Sequence, residues 1–214
     1  MIGMLALTEV DTKPYVDMVE RAGGVPQLIC VDSNGVDLEK ELKLIDGLIL
    51  FGDSVESTAF EETTIYHLGE KFLKYALSRD IPVLGIGSGI HLLNLVFGGS
   101  LGRDVNGHQD FDKDGNDISA YHRIYISPGS KLAAIVGSGG FVRVNSRHKF
   151  GIRESNKSSY LLASAYSLDD GVIEGLESPD HSWVIGVQFH PERRMELPPH
   201  FERLFQSFTE KTSG

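Results

Sequence analysis

Two segments of the chain carry residue types and spacings that are typical of covalent acyl-transfer chemistry. The first, residues 81–94, reads IPVLGIGSGIHLLN and joins an apolar strand-like run to a glycine-flanked turn and the start of an amphipathic helix. The second, residues 184–192, reads VIGVQFHPE and delivers His190 and Glu192 just beyond the carboxyl end of a predicted strand. A histidine followed by a carboxylate two residues later provides the base and the orienting acid of a catalytic triad.

The nucleophile position of the first segment holds a glycine. In a sharp strand-to-helix turn the reacting side chain stands at the centre of a Gly-x-Nuc-x-Gly pattern, and here that centre is Gly87. A histidine base activates only a group within hydrogen-bond reach, and Gly87 has no side chain to offer. Ser88 follows directly, and its hydroxyl either replaces the nucleophile or caps a helix over residues 89–97. The cap is favoured because side-chain direction turns by about 100° per residue where a helix starts.

Further sequence blocks occur in the order in which one known family has them. Together with the HPE of residues 190–192, they resemble the class I glutamine amidotransferases, and within these the γ-glutamyl-γ-aminobutyrate hydrolase-like branch. The blocks are AGGVP at 22–26, DGLIL at 46–50, GGSL at 98–101 with Asp104, VNSRH at 144–148 and DGVIE at 170–174.

The resemblance implies a fold and an activity. The fold is a single flavodoxin-like α/β domain over residues 1–214, with a mostly parallel central sheet flanked by helices and additional short strands in the C-terminal half. The activity is hydrolysis of a γ-glutamyl amide through a cysteine thioester, with His190 as base and Glu192 as orienter. Because Gly87 stands at the cysteine position, the resemblance predicts a catalytically impaired protein that keeps a pocket for a γ-glutamyl-like small molecule.

Two alternatives to this impaired protein remain open. The chain is an active hydrolase of γ-glutamyl amides that uses Ser88 or a displaced nucleophile, or it is a regulatory or ammonia-channelling partner of a synthetase. Whether it is an enzyme at all therefore stays open at this stage.

The predicted substrate-binding residues are Gly52, Asp53, Ser88 and His148. The family's G-G-x-D loop reads FGDS at residues 51–54, and its H-H-Q reads His148-Lys149-Phe150. Asp53 is either an ordinary turn residue or a carboxylate beside the former oxyanion hole, where its charge opposes a tetrahedral oxyanion. Backbone amides of Ser88 and of the turn near Gly52 and Asp53 are candidates for binding an anion at a helix N-terminus.

No cofactor and no metal site are predicted, because the chain has no compact two-histidine helix motif. The open alternative is a zinc site to which His190, Glu192, His148 and His122 converge. The single cysteine, Cys30, lies in an apolar run at residues 28–31 and is predicted to be a buried structural residue rather than a displaced nucleophile.

Composition limits the classes of partner. The chain has 214 residues and a formal net charge of −10, without the basic clusters of a nucleic-acid-binding protein. No apolar run approaches the roughly 20 residues needed to span a bilayer, and one cysteine excludes an intramolecular disulfide. These features predict a cytoplasmic protein that binds neither nucleic acid nor membrane. The resemblance implies a γ-glutamyl-like small-molecule ligand, and a homo-oligomer or a synthetase partner stays open.

Hydrophobic patterning predicts alternating strands and helices in the first half of the chain, as expected for a parallel sheet. Strands are predicted at residues 2–7, 27–31, 47–51 and 83–86, and helices at 13–22, 38–43 and 61–78. Residues 103–120, rich in Asp, Asn and Gly, are predicted to form an exposed loop, and whether it serves as a lid stays open. Strands at 121–126, 141–144, 160–164, 172–176 and 183–188 and a closing helix at 199–209 complete the prediction.

Overall fold

The computed structural model describes residues 1–29, 38–53 and 60–213. The strands in this part of the chain are β1 (Ile2–Ala6), β2 (Pro26–Leu28), β3 (Gly47–Gly52), β4 (Val83–Gly87), β5 (Arg103–Asp104), β6 (Asp110–Phe111), β7 (Asp117–Ile118), β8 (Ala120–Ile126), β9 (Gly140–Ser146), β10 (Phe150–Gly151), β11 (Leu162–Ser167), β12 (Ile173–Glu177) and β13 (Val184–Val187). The α-helices are α1 (Lys13–Arg21), α2 (Leu38–Leu44), α3 (Thr64–Ser78), α4 (Ser88–Val96), α5 (Lys131–Val136) and α6 (Arg203–Thr212).

A single large sheet organises the molecule. Its strand order across the described residues is β2-β1-β3-β4-β13-β12-β11-β8-β9. The first five strands in this order run parallel, and the pairs from β13 onward are antiparallel. The predicted α/β fold is confirmed, and the C-terminal strands extend the same sheet. Short connections from β11 to β12 and from β12 to β13 allow the antiparallel pairing, whereas a parallel pair needs a crossover of a dozen or more residues.

Helices cover both faces of the sheet. One apolar cluster packs α1, α5 and α6 against one face, and a second packs α2, α3 and α4 against the other. Strand β3 shows the division directly, because Ile49 and Phe51 belong to the first cluster and Leu48 and Leu50 to the second. Alternation of this kind, with both sets of side chains apolar, is what a strand buried on both faces requires.

Several predicted boundaries change for local reasons. Residues 61–78 form a 3-10 turn at Phe60–Glu62 followed by α3, because the Thr63 hydroxyl accepts a hydrogen bond from the Tyr66 amide (3.1 Å) and so caps the helix there. The closing helix likewise begins as a 3-10 turn, Pro199–Glu202, before α6. Helix α5 was not predicted from the pattern.

The predicted exposed loop at residues 103–120 is wrong in part. It contains the short strands β5, β6 and β7, and it buries His108, which is 3% exposed. The predicted strand at 27–31 is shorter, since β2 ends at Leu28. Cys30 lies outside the described residues. In the part of the chain that the structure describes, no helix combines the length and apolarity that crossing a membrane requires.

Candidate active site

The carboxyl ends of three neighbouring parallel strands bring the predicted catalytic residues together. In the sheet register Gly52, at the end of β3, lies beside Gly87, at the end of β4. On the other side of β4, Val187 of β13 pairs with Ile86, and the chain continues from there to His190 and Glu192. Residues 52, 87 and 190 therefore meet at one edge of the sheet, the edge at which open α/β sheets bind ligands.

Gly87 adopts a backbone conformation that favours glycine. Its φ of 57° and ψ of −111° lie in a region that residues with side chains adopt at a cost. A Cβ built on Gly87 with ideal geometry would lie 3.0 Å from Cε1 of His190, so a side chain at position 87 would point toward the imidazole. The same Cβ would overlap the carbonyl oxygen of Gly52 and lie 2.9 Å from that of Asp53. A side chain here therefore requires the backbone at residues 52–53 to shift.

His190 is held in one orientation by its neighbours. Its Nδ1 lies 2.8 Å from Oε1 of Glu192, and both side chains are buried. The Asn145 side chain accepts a hydrogen bond from the His190 backbone amide (2.9 Å) and donates one to its carbonyl oxygen (3.0 Å). The other ring nitrogen, Nε2, is buried and has no hydrogen-bond partner among the described residues. The histidine is thus oriented like a general base, and no described residue offers it a group to deprotonate.

Ser88 does not take either of its two predicted roles in this conformation. It is the first residue of α4, and the N-cap position belongs to Gly87, so the predicted Ser88 cap is wrong. The helix starts one residue earlier because Gly87 supplies the backbone turn. The Ser88 hydroxyl lies against Gly52 and, within the described ranges, has no hydrogen-bond partner, His190 included.

The turn after β3 presents carbonyl oxygens and a carboxylate to the site. The Asp53 amide donates to the Thr8 hydroxyl (3.2 Å), while the carbonyls of Gly52 and Asp53 face position 87. The Asp53 carboxylate lies 4.0 Å from Nδ1 of His190 and 3.4 Å from Nε of Arg147. Asp53 is therefore a charged member of the site as well as a turn residue.

Sequence reasoning missed Arg147, Asn145 and Tyr15. The Arg147 guanidinium is largely buried and also donates to the Asp117 carbonyl oxygen (3.2 Å). The Tyr15 ring stacks on Phe51 with centroids 4.2 Å apart, and burial, followed by the nearby Glu192 and Asp53 carboxylates, raises the pKa of the Tyr15 phenol well above 10.0. The VNSRH block contained the signal for Asn145 and Arg147, whereas nothing in the sequence pattern set Tyr15 apart from other core aromatics.

His148 belongs to a separate buried cluster of ionisable side chains. It lies with His108, His122 and Glu174, and one ligand-type atom from each of the four residues falls within 4.8 Å of the others. Burial lowers the pKa of His148 to about 3, lowers that of His108 and raises that of Glu174. The open alternative of a zinc site made from His190, Glu192, His148 and His122 does not assemble as a set. His190 pairs with Glu192, while His148 and His122 join His108 and Glu174.

Comparison with known proteins places the fold and site in a family. The family model described as peptidase C26 matches residues 6–192. A Schizosaccharomyces pombe protein named provisionally as a glutamine amidotransferase is 33% identical over 94% of this chain and 82% of its own length. The chain therefore belongs to the peptidase C26 family, whose members are of the class I glutamine amidotransferase-like type.

CTP synthases are also among the proteins to which the chain is similar. A CTP synthase of Parvibaculum lavamentivorans is 39% identical over 98 residues, which cover 44% of this chain and 17% of the synthase. Among solved structures, the glutaminase domain of Trypanosoma brucei CTPS, determined with bound acivicin, is similar with a TM-score of 0.73 and 17% identity, covering 100% of this chain and 94% of that chain. At that identity the structural match shows the fold alone.

Proposed function

We propose that this protein is a catalytically impaired member of its family that retains a binding site for a γ-glutamyl-like small molecule. The observation that carries the proposal is Gly87. It stands where a side chain would point toward His190, and it supplies none.

The surroundings of Gly87 also oppose acyl transfer. Covalent hydrolysis needs a nucleophile within hydrogen-bond reach of the base, and Nε2 of His190 has no such partner in the described part of the chain. It also needs hydrogen-bond donors aimed at the developing oxyanion. Here the carbonyl oxygens of Gly52 and Asp53 face position 87, and the Asp53 carboxylate adds negative charge nearby. Both features disfavour an oxyanion intermediate.

The ligand class follows from the charged groups that remain. Arg147 places a guanidinium beside Asp53, and guanidinium groups bind carboxylates through paired hydrogen bonds. The N-terminus of α4 begins at the same edge of the sheet and favours negative charge. A γ-glutamyl compound carries an α-carboxylate and an α-ammonium group, which Arg147 and Asp53 are suited to bind. Because His190 and Ser88 are fully buried, binding requires the turn at 52–53 to move.

A second candidate function is a regulatory or ammonia-channelling partner of a synthetase. The match to a CTP synthase favours it, since in that relative the similar region is one part of a much longer chain. Co-purification of a larger subunit with the tagged full chain would support this function over binding of a free small molecule.

Turnover and binding are the two measurements that test the proposed function. Purified protein is incubated with L-glutamine and with a panel of γ-glutamyl amides, and both glutamate release and intact mass are recorded. We expect no release above the protein-free blank and no acyl adduct. Thermal unfolding in the presence of L-glutamate or a γ-glutamyl amide should show a saturable rise in Tm that Arg147→Ala abolishes. Turnover by the parent chain contradicts impairment, and the absence of any saturable stabilisation contradicts the retained site.

The Gly87→Cys variant tests whether the site lacks only its nucleophile, with Gly87→Ala as the matched control. Both variants introduce the Cβ that overlaps Gly52, but only one adds a thiol. Release of glutamate or a mass adduct in Gly87→Cys alone would show that the remaining residues still form an amidase site.

A further inference from the structure

Four buried donor residues from four separate segments converge in the C-terminal half of the sheet. His108 lies between β5 and β6, His122 on β8, His148 between β9 and β10, and Glu174 on β12. Their exposed fractions are 3%, 7%, 1% and 0%, respectively. Buried ionisable groups that are drawn together in this way need either mutual hydrogen bonds or a bound cation.

Four of the six separations between the donor atoms are close to those of a tetrahedral metal site, and all six are within 4.8 Å. Oε1 of Glu174 lies 3.5 Å from His108 Nδ1, 3.4 Å from His122 Nε2 and 3.6 Å from His148 Nε2. His108 Nδ1 and His148 Nε2 are 3.1 Å apart. Donors about 2.0–2.1 Å from a zinc ion in tetrahedral geometry are separated from one another by roughly 3.3–3.4 Å. The measured separations bracket that value.

Outer hydrogen bonds direct the histidine lone pairs toward the centre of the cluster. His148 Nδ1 lies 2.9 Å from the Phe150 carbonyl oxygen, which only accepts hydrogen bonds, so this nitrogen carries the proton. His108 Nε2 lies 3.3 Å from Oδ2 of Asp170, and this carboxylate favours a proton on that nitrogen. With the proton of neutral His108 on Nε2, the two rings present lone pairs to each other at 3.1 Å, which is repulsive unless a cation lies between them. With the proton on Nδ1, His108 instead donates a hydrogen bond to His148 Nε2.

Two further features match a metal site. The Asp170 carboxylate is itself held, because it accepts from the Val172 amide (3.2 Å) and lies 3.4 Å from the Arg153 guanidinium. A histidine that donates its second nitrogen to a carboxylate or carbonyl is the usual outer support of a metal ligand. Within the described ranges, both Glu174 oxygens and both His122 nitrogens are buried without a hydrogen-bond partner. Metal coordination would satisfy Oε1 of Glu174 and Nε2 of His122.

We propose that His108, His122, His148 and Glu174 bind one zinc ion. Four protein donors fill a tetrahedral coordination shell and leave no position for water, which defines a structural rather than a catalytic site. The ion would join the segment that carries His108 and the turn between β9 and β10 to strands β8 and β12. Three imidazoles and one carboxylate suit zinc, whereas calcium and magnesium prefer shells made of oxygen. No metal site was predicted from the sequence because the chain has no compact two-histidine helix motif, and these four residues lie far apart in it.

Metal content of the untagged full chain, purified without chelators, is the first test. Elemental analysis should give about one zinc per chain. The apo protein, prepared by dialysis against a chelator, should recover one equivalent of Zn²⁺ in competition with a chromogenic chelator. Its Tm should rise on reloading, since an ion that binds only the folded state stabilises it. These readouts do not depend on turnover or on γ-glutamyl ligands, so they are independent of the proposed function.

Variants assign the ion to these residues. Glu174→Gln and His122→Ala should lose stoichiometric zinc, and Asp170→Asn should weaken zinc binding by about 10–100-fold through the outer support of His108. The matched control is His67→Ala, which removes an exposed histidine on α3 and should bind zinc like the parent. Zinc loss in the control as well would overturn the assignment to the cluster.

Cobalt provides a readout that does not depend on folding of the variants. Co²⁺ added to the apo parent should give the intense visible absorption of a tetrahedral site and be displaced by one equivalent of Zn²⁺. Absence of zinc in the purified protein, together with no binding and no Tm change on adding Zn²⁺, would overturn the proposal and leave the cluster as a proton-sharing network. A different metal found stoichiometrically in the purified protein, and not displaced by Zn²⁺, would overturn the assignment to zinc.

Discussion

At the residue scale, His190 has the partners of an oriented base, and position 87 beside it carries no side chain. The imidazole of His190 pairs with the Glu192 carboxylate, and the His190 backbone exchanges two hydrogen bonds with the Asn145 side chain. The imidazole is therefore held as a catalytic histidine would be. Gly87 has no side chain that could react with the help of His190. The carbonyl oxygen of Gly52 occupies the space into which a side chain at position 87 would project. Glycine at position 87 is therefore compatible with the position of the backbone at residues 52–53, whereas a residue with a side chain is not.

Substitution of Gly87 tests that compatibility as a stability effect. Gly87→Ala should lower the free energy of unfolding by about 2–4 kcal/mol, because the new Cβ combines an unfavourable φ with overlap at Gly52. Gly98→Ala is the matched control, since Gly98 also has positive φ (+87°) but a Cβ there would meet nothing within 4 Å. The Gly98→Ala variant should lower the free energy of unfolding by about 1 kcal/mol. Denaturant unfolding measures the stability of both variants. Equal losses would show that the Gly52 carbonyl shifts at no cost in free energy.

Asn145 gives a second prediction at this scale. Asn145→Ala leaves the buried amide and carbonyl of His190 without their partners and should cost roughly 2–4 kcal/mol of stability. The control is Asn116→Ala in the exposed segment near β7, expected to change stability by about 0.5 kcal/mol or less. Chemical denaturation compares the two variants. Similar small effects in both would contradict the assignment of Asn145 as the residue that positions His190.

At the element scale, the site exists because β3, β4 and β13 end together and α4 begins there. The start of α4 packs closely on β3, and a Cβ on Gly89 would overlap the Leu50 carbonyl oxygen. Close packing of this kind requires glycine at position 89 and places the N-terminus of α4 beside the His190 ring. Glycine thus serves the packing at 89 and the backbone turn at 87, which are separate physical requirements.

Helix capping supplies a prediction for α3. Thr63→Ala removes the hydroxyl that accepts from the Tyr66 amide and should cost about 1 kcal/mol. Thr12, the N-cap of α1, is the matched control because its side chain makes no cap hydrogen bond in the described structure. Thr12→Ala should leave the unfolding midpoint nearly unchanged. A larger loss at Thr12 than at Thr63 would contradict this account of where α3 begins.

At the whole-molecule scale, one sheet carries two kinds of site. The parallel half ends at the edge that carries the candidate active site around His190, and the antiparallel half encloses the His108, His122, His148 and Glu174 cluster. The antiparallel strands β8 and β12 each contribute a ligand-type residue to the cluster, while the other two come from turns. The two sites are built by different parts of the same sheet and are therefore separable by mutation.

Global stability should depend on pH through Asp80, which joins the turn before β4 to the turn before β13. The Ser182 amide donates to its carboxylate (2.8 Å), and this backbone hydrogen bond lowers the pKa of Asp80 below 3.8. A lowered folded-state pKa contributes stability that is present above the unfolded value and is lost as pH falls through the folded value.

The variant Asp80→Asn tests this pH dependence. It should be less stable than the parent at pH 7, and the difference should shrink as pH falls below about 3.8. Asp169→Asn, at an exposed aspartate, serves as the control. Denaturant unfolding at a series of pH values measures both variants. A stability difference that does not change with pH would contradict the role of the Asp80 charge.

The sequence by itself determined the fold class and which residues end the strands at the edge of the candidate active site. Apolar runs that alternate with amphipathic helices predict a parallel sheet, because both signals depend on periodicity within one segment. The HPE segment and the glycine-flanked turn likewise identified His190, Glu192 and Gly87 as neighbours, since parallel strands end at a common edge.

Only the tertiary structure decided which way the groups face and which distant residues meet. Neither the carbonyl of Gly52 turned toward position 87 nor the Arg147–Asp53 pair follows from local patterning. His108, assigned to an exposed loop by its Asp-, Asn- and Gly-rich surroundings, joins Glu174 through long-range packing of β5, β10 and β12. Local composition reflects average exposure, whereas the positions of buried polar groups depend on contacts between segments far apart in the chain. For that reason the edge of the sheet was predictable, and the histidine cluster was not.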